Sequence, residues 1–161
     1  SRGIIGFRNQ FLTMTSGTGV LNSIFDHYGP VKAGEVAARQ NGVLVSMVAG
    51  KVLGYALFSL QERGRLFIGP NIEVYEGQLI GIHSRDNDLA VNPTKGKQLT
   101  NVRASGTDEA VRLTTPIKLT LESAVEFIDD DELVEITPKS IRIRKRHLQE
   151  HDRKRANRAA A

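Results

Sequence analysis

Short apolar runs separated by glycine-containing turns fill the middle of the chain and constrain its fold more than any other feature. They lie within GVLVSMVAG (42–50), RLFIG (65–69) and EVYEGQLIGIH (73–83). Apolar runs this short, bounded by turn residues, are typical of strands. From about Val31 onward the pattern therefore predicts a small barrel or sandwich. LGYALFSLQERG (53–64) is ambiguous, and a short helix is one interpretation of it.

The N-terminal thirty residues have a different pattern, one helix followed by one strand. Residues 4–15 place apolar side chains at helical spacing, and SGTG (16–19) ends this predicted helix. VLNSIFDHY (20–28) predicts a strand that ends at a Gly-Pro pair. Since one helix and one strand do not bury a core, this segment is expected to need partner elements. The chain does not begin with Met, which suggests a piece of a longer protein.

The C-terminal half contains the strongest helix signal, TLESAVEFIDDDE (120–132). Thr120 is a favourable N-cap, and Glu122 complements the helix dipole in the first turn. AVRLTT before this helix, and LVEIT and KSIRIRKR after it, predict strands, while the final LQEHDRKRANRAA predicts a frayed helix or a tail. The predicted apolar stripe of the helix consists of Leu121, Ala124, Val125 and Ile128.

The net charge of +4 conceals a strongly basic C-terminus. From Lys139 to Ala161 there are nine basic and two acidic residues, a balance of +7. The preceding 138 residues hold 13 basic and 16 acidic residues, a balance of −3. Positive charge concentrated in this way is typical of a protein with a polyanionic partner, most often nucleic acid.

Within this basic tail (139–161), IRIRKR (141–146) alternates isoleucine with basic residues. Because strand side chains alternate, the isoleucines are predicted on one face and the arginines on the other. One interpretation pairs the arginines with the seven acids between Leu121 and Glu135, in solvated pairs that contribute little. We favour phosphate binding, because the tail adds further cations without enough acids to match them. The residues concerned are Arg142, Arg144 and Arg146, then Arg153, Lys154, Arg155 and Arg158.

A long polar stretch, DLAVNPTKGKQLTNVRASGTDEA (88–110), predicts a loop over about residues 86–107. Its lysines, arginine, hydroxyls and amide are the side chains that usually contact phosphate and sugar oxygens. The alternative is an ordinary surface loop, and the sequence favours neither, although long loops in compact domains are often functional. The candidate contacts are Lys95, Lys97, Asn101 and Arg103.

Several functional classes find no support in the sequence. The chain has no cysteine, which excludes thiolate catalysis and Cys-based zinc sites. It has no apolar run of membrane-spanning length and no signal-peptide pattern. TKGKQLT (94–100) fails as a phosphate loop, because a valine replaces the first glycine and a glutamine follows the lysine. His147 and His151 lack ligands for a metal site, and no nucleophile–base pair is visible, so we predict no catalytic or metal-binding residue.

Five longer segments together resemble the C-terminal part of the BipA/TypA family of translational GTPases, relatives of elongation factor G. The resemblance extends over essentially the whole chain. The segments are RGIIGFRNQFLTMTSGTG, NGVL, VYEGQLIGIHSR, LAVNPTKGKQLTNVRASGTDEA and VEFIDDDELVEITPKSIRIRKRHL.

The resemblance implies an α+β chain with two domains. Residues 1–33 resemble the second half of the ferredoxin-like domain V of elongation factor G, whose first part is absent. Residues 34–161 resemble the family's own mostly β, barrel-like C-terminal domain with a few helices, including the long loop and the basic tail. The expected GTPase domain lies upstream, so the resemblance implies that this chain is not an enzyme and that GTP and Mg²⁺ belong to the missing part.

The implied function is ribosome binding in the cytoplasm, or in a plastid, in translation, large-subunit assembly and stress adaptation. The loop from Asp88 to about Arg103 would approach ribosomal RNA near the A-site and the acceptor end of tRNA; ribosomal proteins are further possible partners. The alternative is a protein-interaction module that binds a ribosomal protein through its acidic helix. The complete predicted RNA-binding set is Lys95, Lys97, Asn101, Arg103, Arg142, Arg144, Lys145, Arg146, Arg153, Lys154 and Arg155. The sequence does not indicate an oligomeric state.

Overall fold

A computed structural model describes residues 7–30, 39–96 and 112–160 of the chain. The chain divides into two compact units, Ser1–Arg39 and Gln40–Ala161. Both helices and strands are present, which confirms the predicted α+β class. No helix within the described ranges is both long and apolar enough to cross a membrane.

The described residues of the first unit, 7–30 and 39, contain one helix, α1 (Phe7–Met14). It ends where Ser16 and Gly17 adopt positive φ values of 52° and 81°, as the SGTG motif predicts. The strand predicted over residues 20–28 is wrong, because this segment is irregular and exposed, with Ile24 94% accessible. A strand requires a neighbour for its backbone hydrogen bonds, and no described strand pairs with these residues.

The second unit contains three sheets and three helices within the described ranges. The four-stranded sheet has the order β3-β5-β1-β6, and no ladder joins β3 to β6, so the described strands form an open sheet rather than a closed barrel. The β6 strand runs parallel to β1, and the other neighbours are antiparallel. The elements are β1 (Val43–Ser46), β2 (Gly50–Lys51), α2 (Gly54–Leu60), β3 (Gly64–Leu66), β4 (Glu73–Val74), β5 (Leu79–His83), β6 (Leu89–Val91), α3 (Leu121–Phe127), β7 (Glu132–Ile136), β8 (Ile141–Lys145) and α4 (Glu150–Ala160).

Alternating side chains of β1 divide the core into two layers, as strand geometry requires. Leu44 packs with Leu57 and Leu60 of α2 on one face of the sheet. Val43 and Val45 pack with Ala124 of α3 on the other face, together with Ile143 of β8. Both layers are essentially inaccessible to solvent, so α2 and the α3–β8 region cover opposite faces of one sheet.

The sequence predicted most of these elements but misplaced several details. The ambiguous segment 53–64 does contain a helix, α2, whereas residues 112–115 do not form the predicted strand. The predicted loop from about 86 begins with β6, whose Leu89–Val91 backbone pairs with β1. The short run LAV gave too little apolar signal to reveal this strand.

The α3 helix starts as predicted and buries part of the predicted apolar stripe. Thr120 and Ser123 form a reciprocal capping box, in which the Ser123 amide donates to the Thr120 hydroxyl at 3.2 Å. Ala124 is buried, whereas Val125 is 56% exposed. Phe127 packs instead, with its ring centroid 5.4 Å from that of Phe67 in an edge-to-face arrangement. Ala124 and Ile128 of the predicted stripe thus pack in the core, whereas Leu121 and Val125 are exposed.

Candidate nucleic-acid interface

The β7–β8 hairpin carries the alternating basic residues that the sequence singled out. Residues 137–140 close its turn, with the Thr137 amide donating to the Ser140 carbonyl at 2.9 Å. The β8 strand buries Ile143 on one face and leaves Arg142 and Arg144 partly exposed on the other. This alternation confirms the predicted two-faced strand. Arg146 follows the end of the strand and is exposed.

A tyrosine and a glutamate lie beside the arginine row. Glu135 stands directly opposite Arg142 in the hairpin register, and its carboxylate accepts a hydrogen bond from the Tyr75 hydroxyl. Burial, this hydrogen bond and the charge of Glu135 raise the pKa of Tyr75 well above its usual range, against the opposing influence of Arg144 and Arg142. Tyr75 therefore stays neutral and holds Glu135 on the arginine face.

The acidic segment next to α3 does not neutralise the arginines. In the part of the chain that the structure describes, no salt bridge involves Arg142, Arg144 or Arg146. Arg144 instead donates from its guanidinium to the Lys145 carbonyl at 3.3 Å. The acids Asp131 and Glu132 bind another cation. Of the seven acids in the predicted pairing alternative, Glu135 does lie opposite Arg142, but no salt bridge joins the two side chains.

That other cation is Lys145, which the sequence had placed among the RNA contacts. Its side chain is 3% exposed, and its ammonium lies 2.6 Å from Asp88, 2.8 Å from Asp131 and 2.9 Å from Glu132. Burial alone would lower the pKa of Lys145, but hydrogen bonds to these three carboxylates outweigh it and hold the pKa above its usual value. A buried ammonium with three carboxylate partners does not reach an external phosphate. Lys145 is therefore removed from the candidate interface, because alternation sends it to the buried face with Ile143.

The cations of α4 are mostly engaged within their own helix. Lys154 lies 2.6 Å from Glu150, and Arg155 lies 3.5 Å from Asp152. The Arg153 guanidinium donates to the carbonyls of His147 and Leu148 at the start of the helix. All three pairings are largely solvated, and such pairs are weak. Lys154 and Arg155 are mostly exposed and remain able to meet a polyanion.

Of the predicted loop contacts, only Lys95 lies within the described residues. It is exposed and borders a groove of about 640 Å³ between α2 and β6. Arg63 lines the same groove, although sequence reasoning did not select it. No sequence signal links Arg63 to Lys95, which are 32 positions apart. Both line the same groove because β6 pairs with β1, the strand beneath α2. The predicted contacts Lys97, Asn101 and Arg103 lie outside the described residues.

The described residues show no metal-binding arrangement. No group of three or more His, Asp or Glu side chains is placed to hold an ion among residues 7–30, 39–96 and 112–160. The three carboxylates around Lys145 are satisfied by its ammonium. What the arrangement offers is exposed positive charge on the β8 face, at α4 and along the α2–β6 groove.

Comparisons with known proteins agree on one family. The model of the TypA/BipA C-terminal domain matches residues 41–150, more than half of the chain. A Haemophilus influenzae protein named large ribosomal subunit assembly factor BipA is 69% identical over 158 residues. Proteins with the same name from Escherichia coli strain K12 and from Buchnera aphidicola are 69% and 60% identical over 159 and 158 residues.

Each of these alignments covers at least 98% of this chain but only 26% of the relative. The chain thus spans about a quarter of the length of the curated relatives it matches. The segments that carry the resemblance in the sequence lie within these alignments. The chain belongs to the TypA/BipA family and contains its C-terminal domain.

Proposed function

We propose that this chain is an RNA-binding module of a large ribosomal subunit assembly factor, and that Arg142 and Arg144 bind ribosomal RNA phosphates. The observation that carries the proposal is the pair of partly exposed guanidinium groups on the outer face of β8, without a salt bridge among the described residues. Guanidinium groups bind phosphate oxygens with two parallel hydrogen bonds. The names of the relatives support the ribosome as the source of the RNA.

The surrounding cations extend this surface. Arg146, Lys154 and Arg155 are exposed and would add electrostatic attraction, while the part of the polar stretch that follows β6, to about Arg103, would reach toward the A-site and the tRNA acceptor end. Phosphate contacts of this kind position a protein on RNA without selecting a sequence. Specificity would then come from the shape of the folded RNA.

The catalytic role in this proposal belongs to another part of the full-length protein. A GTPase domain with its GTP and Mg²⁺ would control when the factor binds the ribosome in the cytoplasm, and this chain would dock without chemistry of its own. Functions in translation and in stress adaptation are part of the same proposal.

A second candidate function is binding of a basic ribosomal protein through α3. The observation that favours it is the outer face of this helix, where Leu121 and Val125 are 43% and 56% exposed beside the acidic Glu122. Asp129 and Asp130 extend the negative charge, whereas Asp131 and Glu132 already bind Lys145. The acidic surface available to a partner is therefore smaller than the sequence suggested.

Co-sedimentation with purified large ribosomal subunits over a salt series tests the proposal. The test variant is Arg142→Gln/Arg144→Gln, and the matched control is Arg65→Gln/Lys118→Gln, which removes two exposed charges at or beside β3. Affinity falls as salt rises, and each lost phosphate contact lowers the magnitude of the slope of log affinity against log salt by about 0.7 to 0.9. The Arg142→Gln/Arg144→Gln variant should thus reduce this magnitude by about 1.4 to 1.8, and the control should leave it unchanged.

Two outcomes would contradict the proposal. Equal losses in the arginine pair and the control would mean that only net charge matters. Loss of binding in Asp129→Asn/Asp130→Asn, with unchanged binding in the arginine pair, would favour the protein-binding alternative. Circular dichroism of every variant establishes that folding is retained.

A further inference from the structure

Two adjoining cavities, of about 640 Å³ and about 410 Å³, lie along α2 and the β6 edge of the four-stranded sheet. Both are lined by Ser59, Leu60, Arg63 and Leu89, so they share one side of the helix, and together they are called the α2–β6 groove. The groove lies apart from the arginine face of β8 and shares no lining residue with it.

Three cations are distributed along this groove. Lys95 lines the first cavity, Arg85 lines the second, and Arg63 lines both. All three are exposed, and none takes part in a salt bridge with the described residues. One acid, Glu62, lines the groove, within the second cavity. The groove therefore carries an excess of two positive charges that the described residues do not neutralise.

The floor and the edge of the groove suit a nucleotide chain. Leu60, Leu89 and Val91 supply an apolar floor, and Tyr55, 43% exposed, offers an aromatic ring beside it. Ser59 and Asn92 add neutral polar groups. Sugars and bases pack on apolar and aromatic surface, while cations hold the phosphates, which is how grooves bind single-stranded nucleic acid.

The spacing of the cations along β6 favours an extended ligand over a small anion. The β6 strand alone spans about 10 Å at roughly 3.3 Å per residue, and two of the cations, Arg85 and Lys95, lie on either side of it in the sequence. A single phosphate group contacts one part of such a groove and leaves the rest unoccupied. Successive phosphates of one strand would meet Arg85, Arg63 and Lys95 in turn.

We propose that the α2–β6 groove binds a single-stranded segment of RNA, with Arg63, Lys95 and Arg85 contacting its phosphate backbone. This inference deepens the proposed function, because it adds a second, separate contact for the same class of partner. The hairpin arginines and the groove would then hold RNA at two places on the same unit.

Binding of a fluorescein-labelled twelve-nucleotide RNA to the 161-residue chain, measured by anisotropy over a salt series, tests the groove. We expect Arg63→Gln/Arg85→Gln to lower the salt slope by about 1.4, at about 0.7 per phosphate, and to weaken binding about 25-fold at 0.1 M salt. The control Arg65→Gln/Lys118→Gln should behave as the unaltered chain. If Arg63→Gln/Arg85→Gln had the same affinity for the RNA and the same salt slope as this control, the inference would be overturned.

A site-specific readout uses the absence of cysteine from the chain. Ser59→Cys places one thiol in the part of the groove common to both cavities, and Glu73→Cys places one on exposed β4. The RNA should slow alkylation by iodoacetamide at position 59 and not at position 73. Equal rates with and without RNA at position 59 would refute occupation of the groove. Inorganic phosphate should protect position 59 less than the RNA, and equal protection would refute an extended ligand.

The pattern of variants separates this inference from the proposed function. Weaker RNA binding by Arg142→Gln/Arg144→Gln, with unchanged RNA binding by Arg63→Gln/Arg85→Gln, would overturn only the groove. Weaker binding of the twelve-nucleotide RNA by Arg63→Gln/Arg85→Gln alone would support the groove, and co-sedimentation with large ribosomal subunits tests the hairpin assignment separately. A folded chain that binds large ribosomal subunits but not this RNA would overturn only the groove.

Discussion

Replacing Lys145 with methionine should destabilise the second unit strongly, because it leaves the buried carboxylate of Glu132 without its cation. Methionine has a similar length and retains most of the packing, so the change removes mainly the charge. Glu132 is fully buried and lies 2.9 Å from the lysine ammonium. Breaking a buried ion pair by removing one partner costs about 3 to 5 kcal/mol.

The structure favours the lower end of this range. Asp88 and Asp131 are 41% and 56% exposed, so water can solvate them and their contribution is small. Glu132 also keeps a hydrogen bond from the Asp129 amide at 3.1 Å. We therefore expect a loss of about 3 kcal/mol, which for a unit of this size lowers the melting temperature by roughly 10 °C.

Urea unfolding followed by circular dichroism measures this loss at pH 7. Adding Glu132→Gln should restore much of the stability, because no charge remains stranded. A loss below about 1 kcal/mol, or a double variant as unstable as the single one, would refute a structural role for this ion cluster.

Four further predictions follow from particular contacts. The pKa of Lys145 in the folded chain is raised above its usual value of 10.5, so its contribution to stability is complete below pH 10.5 and is lost as the pH rises above it. A urea midpoint unchanged up to pH 12 would contradict this. Gly77→Ala should cost about 2 kcal/mol or more in urea unfolding, because φ is +85° and an added Cβ would lie 2.7 Å from the Leu148 backbone. Thr120→Ala should remove the α3 capping box and cost about 1 kcal/mol, measured in the same assay. Tyr75→Phe should cost about 1 kcal/mol while leaving RNA binding intact, and weaker RNA binding would indicate a direct contact.

Local features of the sequence predicted local structure well. The SGTG stop after α1, the Thr120 cap of α3 and the two-residue alternation of β8 each depend on backbone and side-chain geometry within a few residues. The same kind of signal failed over residues 20–28, because a strand needs a neighbouring strand and none of the described strands pairs with these residues. It also missed β6, because three residues between polar neighbours carry little apolar periodicity.

The arrangement of the exposed basic residues could be predicted only in part from the sequence. The excess of positive charge near the C-terminus was visible from composition, as was the separation of Arg142 and Arg144 from Ile143. The sequence did not show that these arginines form no salt bridge with the described residues, because Asp131 and Glu132 bind Lys145 instead. The placement of Arg63 and Lys95 in the same groove likewise depends on the parallel ladder between β1 and β6.

The sequence by itself determined the family, the α+β class and the sign and concentration of the charge, since these depend on residue types and short-range order. Only the tertiary structure decided which charges face solvent. Alternation placed Lys145 on the same face as Ile143, but three carboxylates from two separate segments, Asp88 and Asp131–Glu132, made that buried position tolerable for an ammonium. Burial and ion pairing join residues that are distant in the chain, and no pattern within one segment encodes them.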